Sequence, residues 1–373
     1  MIGEEPSKIR TREADEHDFI VRALTAVNVR ESDARDVADV LVAADLRGVE
    51  SHGIARLETF YVRRIEAGVV NARPQYTTIS DRPTQFALDA GNGLGHPAGK
   101  FAMRKAIEKA REHGLAFATV RNSNHYGIAA YYAMMALEHG LIGLSMTNST
   151  HLAVPTFGAK KTTGTNPIAV AIPAGEHPPF VLDMATTGVT FGRLEVSERK
   201  GKQLKPGWAV DAEGRETLDP VAAKTTGALL PLGGYGTDNG GHKGYGLGAL
   251  VDILCGVLSG GLFAAAADVP ETGMHGGIVG NFFGAFRIGA LRDEEAFRHD
   301  LDRELQTFER SAPVPGSQRV MIAGDPEREN TERFRREGVP IDERVWDTLD
   351  TMAGRLHIEK LERFTVDQAR ASP

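Results

Sequence analysis

One cysteine, two tryptophans and no long apolar run mark what this 373-residue chain has least of. Cys255 alone permits no internal disulfide and no cysteine-rich zinc site, which fits a reducing compartment. It sits in the apolar run 249–258 and reads as a small buried hydrophobe rather than a reactive thiol. No stretch approaches the roughly 20 apolar residues that a membrane helix needs. The N-terminal MIGEEPSKIRTREADEHDF is charged throughout and lacks the apolar core of a secretory signal. The expectation is a cytoplasmic protein with no membrane partner. Surplus positive charge is missing too: 50 acidic residues face 43 basic ones, for a formal net charge of −7. That argues against a nucleic-acid partner, because neutralising phosphates takes clustered Lys and Arg. Neither HExxH nor a close His/Asp/Glu cluster with ligand spacing occurs, so no metal is expected.

What is present is an ordinary globular composition, 41% hydrophobic and 25% charged. The length exceeds what one core usually organises, which predicts two domains. The first seventy residues read as helices. Ser32 and Asp33 are N-cap candidates, and Ala34, Val37, Val40, Leu41 and Ala44 recur at helical spacing behind them. The pattern breaks at RGVESHG and resumes through Ile54, Leu57, Phe60, Tyr61 and Ile65. From about residue 80, short β-prone runs (FALDA, LAFATV, LIGLSMT, PIAVAIP, PFVLDMA) alternate with helical ones at 97–113 and 126–139. This is an α/β region whose sheet is parallel or mixed. Residues 200–241 are rich in Gly and Pro and read as loops. The segment 243–258 is apolar enough for a buried helix, QRVMIAG is β-prone, and 293–310, 331–337 and 342–356 are amphipathic.

Two glycine-rich stretches invite a phosphate-loop reading. GNGLGH at 91–96 stands between a strand and a helix, yet the pattern G-x-G-x-x-G puts His96 where the third glycine belongs, so the Rossmann fingerprint fails. GTDNGGHKGYG at 236–246 fits G-x-x-x-x-G-K-[ST] at Gly236 and Gly241, but Lys243 falls one place late and no hydroxyl residue follows. A nucleotide or phosphate hydrolase is thus a poorly supported alternative. Lys243 remains a candidate for an anionic ligand, its rival reading being a solvated loop lysine.

Two of the twelve histidines stand out by their neighbours. In ESHGIAR, Ser51, His52 and Arg56 can share the start of a helix. Arg suits the carboxylate of a 2-hydroxy or 2-oxo acid, and His can trade a proton with its C2 oxygen. Alternatively Ser51 caps the helix and Arg56 pairs with an acid. In VRNSNHYG, His125 follows a strand, where α/β folds place ligand contacts, although Asn122, Ser123 and Asn124 also read as turn residues.

RGVESHGIARL, VRNSNHYGIAAYY, GLIGLSMTNS, GTNPIAVAIP, VLDMATT, GALLPLGG and GGHKGYGLGALVDILCGVLSG run in order from about residue 45 to 260. Together they make the chain resemble the type 2 malate/L-lactate dehydrogenase family. The resemblance implies an α/β fold with a mixed sheet, a non-Rossmann NAD(P)-binding domain at 76–310, and a mainly helical substrate and dimerisation domain built from 1–75 and 311–373. It implies a homodimer that moves hydride between NAD or NADP and a small 2-hydroxy acid without metal. Reduction of a cyclic imino acid is the alternative within the family. Carried over by position, Ser51 and Arg56 match substrate contacts. His52 and His125 match two competing assignments of the acid/base. Ser149, Asp183, Met184, Ala185, Thr186, His242, Lys243, Gly324, Asp325 and Pro326 match cofactor contacts. The last loop departs from the family's P-G-E, reading Ala323-Gly324-Asp325 here.

Overall fold

The computed structural model describes residues 9–199, 201–263 and 278–365. Two hydrophobic cores account for most of the buried apolar side chains.

The first core is helical. Glu13–Ala26 and Glu31–Leu46 bury Phe19, Ile20, Leu24, Val37 and Leu41 against Trp346, Leu349 and Met352 of Glu343–Leu356. The first and last described segments of the chain are thereby joined. A three-stranded sheet reinforces the join, with Ile9–Thr11 pairing antiparallel with Val339–Pro340 on one side and Phe364–Thr365 on the other. The periodic residues from Ala34 to Ala44 are all buried, as their spacing predicts. The expected caps are not used. The helix begins at Glu31, and Asp33 instead accepts from Arg30 Nη1 at 3.3 Å in the first turn, where negative charge suits the helix dipole. At the C-terminal end Asp342 does cap, accepting from the Arg344 amide.

The second core lies on a seven-stranded sheet ordered Thr77–Arg82, Gln85–Asp89, Leu115–Ser123, Val279–Arg287, Leu141–Thr147, Ile168–Ile172, Phe180–Met184. Only Gln85–Asp89 against Leu115–Ser123 is parallel, so the sheet is mixed. Helix Gly95–His113 lays Ala98, Ala102, Ala106 and Ala110 on the sheet residues Ala116, Ala118 and Ala285. Alanines on both surfaces let the layers approach closely.

The strand directions position the site. Val279–Arg287 runs antiparallel to both Leu115–Ser123 and Leu141–Thr147, and two further antiparallel steps lead to Phe180–Met184. Three strands therefore end on the same edge of the sheet, each followed by a conspicuous segment: NH at 124–125, NST at 148–150 and AT at 185–186.

Four further expectations are corrected. Residues 200–241, read as loops, hold a short helix, Pro220–Thr225, started by the Asp219 cap, and two strands, Ala209–Val210 and Ala228–Leu229, that pair antiparallel. The helix expected over 126–139 is Ala129–Met135 followed by one tight turn, because Gly127 takes a left-handed conformation (φ 80°) just before it. QRVMIAG forms no strand. Its Ile322 amide donates to the Asp325 carboxylate, which also pairs with Arg319, so side-chain bonds replace a ladder. The apolar helix is Gly241–Asp252 continued by a π-turn, Ile253–Val257, and it is only half buried. Val251 and Cys255 pack on the sheet, while Leu250, Ile253, Val257 and Leu258 are exposed.

Candidate active site

A cavity of about 300 Å³ opens where the helical core meets that sheet edge. The N-terminal segment contributes its first wall. After Leu46 the chain makes two short 3-10 turns, Glu50–His52 and Ile54–Arg56, then one π-turn, Leu57–Val62. Such wide turns are frequent at functional sites. This one carries Phe60 and Tyr61 side by side. The Ile54 amide donates to the Asp45 carboxyl group at 2.6 Å, which pins the segment to the preceding helix. Burial pushes Asp45 up to about 7, and Glu16 beside it, fully buried, is held well above the usual carboxyl range by burial and by Asp45.

Ser51, His52 and Arg56 all line the cavity. Ser51 Oγ lies 2.9 Å from His52 Nδ1. Arg56 Nε donates to the Ser51 carbonyl at 2.6 Å, its guanidinium stacks over Phe60, and Nη2 stands 3.7 Å from Glu195 across the cavity. Burial, and secondarily Arg56, lowers His52 to about 4, so its imidazole is neutral at neutral pH.

His125 arrives from the sheet edge. The preceding asparagines are structural, as one of their two sequence readings proposed. Asn122 donates to Asp89, and Asn124 donates to Gly93 and Asn92 of the GNG turn while accepting from Arg64. The ring of His125 stacks on His52 with centroids 5.5 Å apart and planes 27° apart. Two loops 73 residues apart in sequence, at His52 and His125, thus form one imidazole pair. Burial, followed by His52, holds His125 well below the usual histidine value.

The far wall is the strand ends. Asn148, Ser149, Thr165, Asp183 and Ala185 line it, with Glu195 on helix Phe191–Arg199 beyond. Ser149 Oγ accepts from the Thr165 amide, and the Ser149 amide donates to Asn166. Asp183, which lines the cavity, accepts from the Ala130 amide at the start of Ala129–Met135.

Other predicted cofactor residues lie apart from the cavity lining. Met184 is half-buried in its strand, and Thr186 is buried with its hydroxyl on the Thr165 and Asn166 carbonyls. His242 and Lys243 are exposed on the first turn of Gly241–Asp252. Gly324 (φ 99°) turns the chain into helix Asp325–Glu337, Pro326 occupies its first turn, and the Asp325 carboxylate is taken up by Arg319 and Arg328. Of that helix, Glu327 lines the cavity.

Sequence reasoning missed Arg47, Phe60, Tyr126, Asn148, Glu195 and Glu327, all of which line the cavity. Phe60 was legible only as an apolar-face residue, because a helical pattern does not reveal a π-turn. His96, read as the residue that spoils a fingerprint, is fully buried beneath Tyr61 with neither ring nitrogen hydrogen-bonded. The close approach assigned to a glycine at 96 belongs to Gly95, where a Cβ would stand 2.1 Å from the Asn124 carbonyl. Among the described residues, no group of three or more His, Cys, Asp or Glu could hold a metal, and no helix is long and apolar enough to cross a membrane.

A neutral imidazole pair beside an arginine in one cavity is a set that can bind a small carboxylate and exchange a proton with it. Comparison with known proteins makes the class specific. The family model described as malate/L-lactate dehydrogenase matches residues 12–350, and the chain belongs to that family, the oxidoreductases of hydroxy and oxo acids. It is 45% identical over 343 residues to the malate dehydrogenase of Pyrococcus horikoshii, covering 92% of this chain and 94% of the relative. It is 34% identical over 350 residues to the L-sulfolactate dehydrogenase of Methanothermobacter thermautotrophicus, covering 94% and 98%. The solved malate dehydrogenase of Pyrococcus horikoshii OT3 superposes with a TM-score of 0.88 at 41% identity, covering 96% of this chain and 99% of that one. A Δ1-piperideine-2-carboxylate reductase from Pseudomonas syringae superposes at 0.81 with 28% identity, covering 92% and 99%.

Proposed function

We propose that the protein interconverts a small 2-hydroxy acid and its 2-oxo acid, with NAD or NADP as hydride carrier. The observation that carries this reading is the stacked His52–His125 pair in the same cavity as Arg56. Arg56 anchors the substrate carboxylate, Ser51 orders His52, and a neutral imidazole takes the hydroxyl proton in oxidation and returns it in reduction. When bound, the nicotinamide supplies the hydride acceptor at its C4. The polar strand ends fit that role. Ser149, Asp183 and Ala185 line the same cavity as the imidazoles, and Phe60 and Phe191 add apolar surface to it. His242, Lys243 and the 324–326 turn would meet the rest of the dinucleotide outside the cavity.

The division into a helical unit (1–75 with 311–373) and an α/β unit (76–310) fits the two cores except at Val40 and Ala44, which pack in the sheet core, and Leu94, which packs in the helical one. The homodimer fits the exposed apolar face of Gly241–Asp252 and its continuation. Cytoplasmic residence fits the single buried cysteine.

Malate, lactate and sulfolactate with each nucleotide, and their oxo acids with the reduced forms, should be compared by nicotinamide absorbance. Turnover of one or more 2-hydroxy acids, lost on His52→Ala or His125→Ala, is the expected result. Full turnover in both variants would overturn the mechanism. A cyclic imino acid belongs in the same panel, because the reductase superposes over nearly the whole chain.

A further inference from the structure

Tyr61 is a buried phenol on the π-turn whose oxygen lies 2.7 Å from Nδ1 of His125. The same nitrogen faces the backbone amide of Gly127 at 3.4 Å. An amide N–H donates and never accepts, so the nitrogen it addresses must present a lone pair. Burial raises the Tyr61 pKa, which keeps the phenol protonated and able to donate as well. Two donors thus converge on one ring nitrogen. A neutral imidazole with Nδ1 as acceptor carries its proton on Nε2.

We propose that Tyr61 is a positioning residue for His125: with the Gly127 amide it fixes the Nε2–H tautomer, so that His125 donates to the substrate's C2 oxygen and His52 is the base. This rests on the 2-hydroxy-acid reading and resolves a choice that reading leaves open. The partition follows from the pair's geometry. Two imidazoles stacked 5.5 Å apart beside Arg56 favour at most one positive charge between them. If His125 holds its proton as a donor, the proton released in oxidation goes to the other ring. In that step the C2–H electron pair leaves as hydride to the nicotinamide, the O–H bond breaks, and its proton passes to His52. C2–O becomes the carbonyl, hydrogen-bonded by His125 Nε2–H. Reduction runs the same path backwards, from His52 protonated.

The Tyr61 ring also has a packing role, against His96 at 5.0 Å. Tyr61→Phe keeps that ring and removes only the hydroxyl.

The test uses the full-length protein with histidine labelled in its ring nitrogens, His125 being assigned by comparison with His125→Asn. In the wild type near neutral pH, Nδ1 of His125 should give an acceptor-type shift and Nε2 a protonated one. In Tyr61→Phe the two tautomers should mix. For a 2-oxo acid that the wild type reduces, kcat should fall roughly tenfold or more, as when an imidazole loses the group that sets its tautomer. KM should stay within about threefold, since Arg56 is untouched. A protonated Nδ1 in the wild type overturns the proposal, and so does an unchanged kcat with an unchanged tautomer in the variant. The wild-type spectrum decides even if Tyr61→Phe folds poorly. It also decides if no 2-hydroxy acid is a substrate, which separates failure of this proposal from failure of the reading beneath it.

Discussion

Gly53 offers the sharpest test of how the substrate-binding segment is held. Its φ of −93° lies outside the left-handed region that favours glycine, so the contact made by an added methyl group is what decides. What alanine meets is Asp45. A Cβ built on Gly53 would stand 2.0 Å from Cγ and from both carboxyl oxygens of that residue. The carboxyl group has nowhere to go, because Glu16, fully buried, packs against it and its Oδ2 already accepts the Ile54 amide. Relieving the clash requires moving the 51–56 segment away from its helix. Overpacking of this kind costs about 1–3 kcal/mol. Breaking the Asp45–Ile54 bond and leaving a buried amide unmatched adds about 1–3 kcal/mol. Gly53→Ala should therefore lose roughly 2–6 kcal/mol, a large part of a typical domain's stability.

The functional cost should exceed the structural one at temperatures where the variant is folded. Displacing Ser51, His52 and Arg56 by even ~1 Å predicts a fall of about a hundredfold in kcat/KM. Urea unfolding followed by tryptophan emission measures the first effect, and 2-oxo acid reduction the second. A double-mutant cycle isolates the cause. On an Asp45→Ala background the obstruction is gone, so Gly53→Ala should cost at least ~1 kcal/mol less than it does alone. An additive cycle, or a Gly53→Ala protein within ~0.5 kcal/mol of wild type with normal kinetics, would refute the reasoning.

The buried, unpartnered His96 is depressed to about 3 by burial, so the unfolded chain binds a proton that the folded one refuses. Its contribution is intact above the unfolded value near 6.5 and is lost as pH falls towards 3, on the order of 3–5 kcal/mol; His96→Phe should flatten that slope in urea midpoints taken from pH 7 to 4. Arg56→Lys keeps the charge but loses the planar fork, and should raise KM for a 2-oxo acid roughly tenfold while sparing kcat; an unchanged KM would remove Arg56 as the carboxylate anchor. Ile253→Glu, or Leu250→Glu, places a charge on the exposed apolar face, and light scattering should then give the single-chain 40.2 kDa where the wild type gives twice that. A wild type of single-chain mass would refute the dimer.

Periodic and alternating patterns made most elements legible, because a buried face writes itself into the spacing of apolar residues. Ala34 through Ala44, and the runs FALDA, LAFATV, LIGLSMT and PIAVAIP, took the structure that pattern predicts. Legibility failed where side-chain bonds and the missing cover of an apolar face override the composition of a run. QRVMIAG has strand composition, but Asp325 captures its backbone amide from beyond the run. The helix from Gly241 has core composition, yet one of its apolar faces is open to solvent in the single chain. In the site, the chemically distinctive residues Ser51, His52, Arg56 and His125 stood out by type. Those that orient them did not. Tyr61 and Asp45 look in sequence like an apolar-face residue and an ordinary helical acid, and only tertiary contact reveals the first against His125 and the second beneath Gly53.

The same limit explains why two histidines compete for one role. Sequence presents His52 and His125 as separate motifs, so each invites its own assignment as acid or base. The fold makes them one unit: stacked in one cavity, and each lowered in basicity by burial. For such a pair, proton affinity belongs to both rings together. Loss of either would alter the other's environment, so rates from single substitutions identify the pair and not the member. What distinguishes the members is their outer partners. A serine hydroxyl, free to donate or accept, sits at Nδ1 of His52, whereas two donors sit at Nδ1 of His125. That asymmetry leaves His52 able to change protonation state while His125 keeps its own, which is the division of labour a reversible proton-coupled hydride transfer needs.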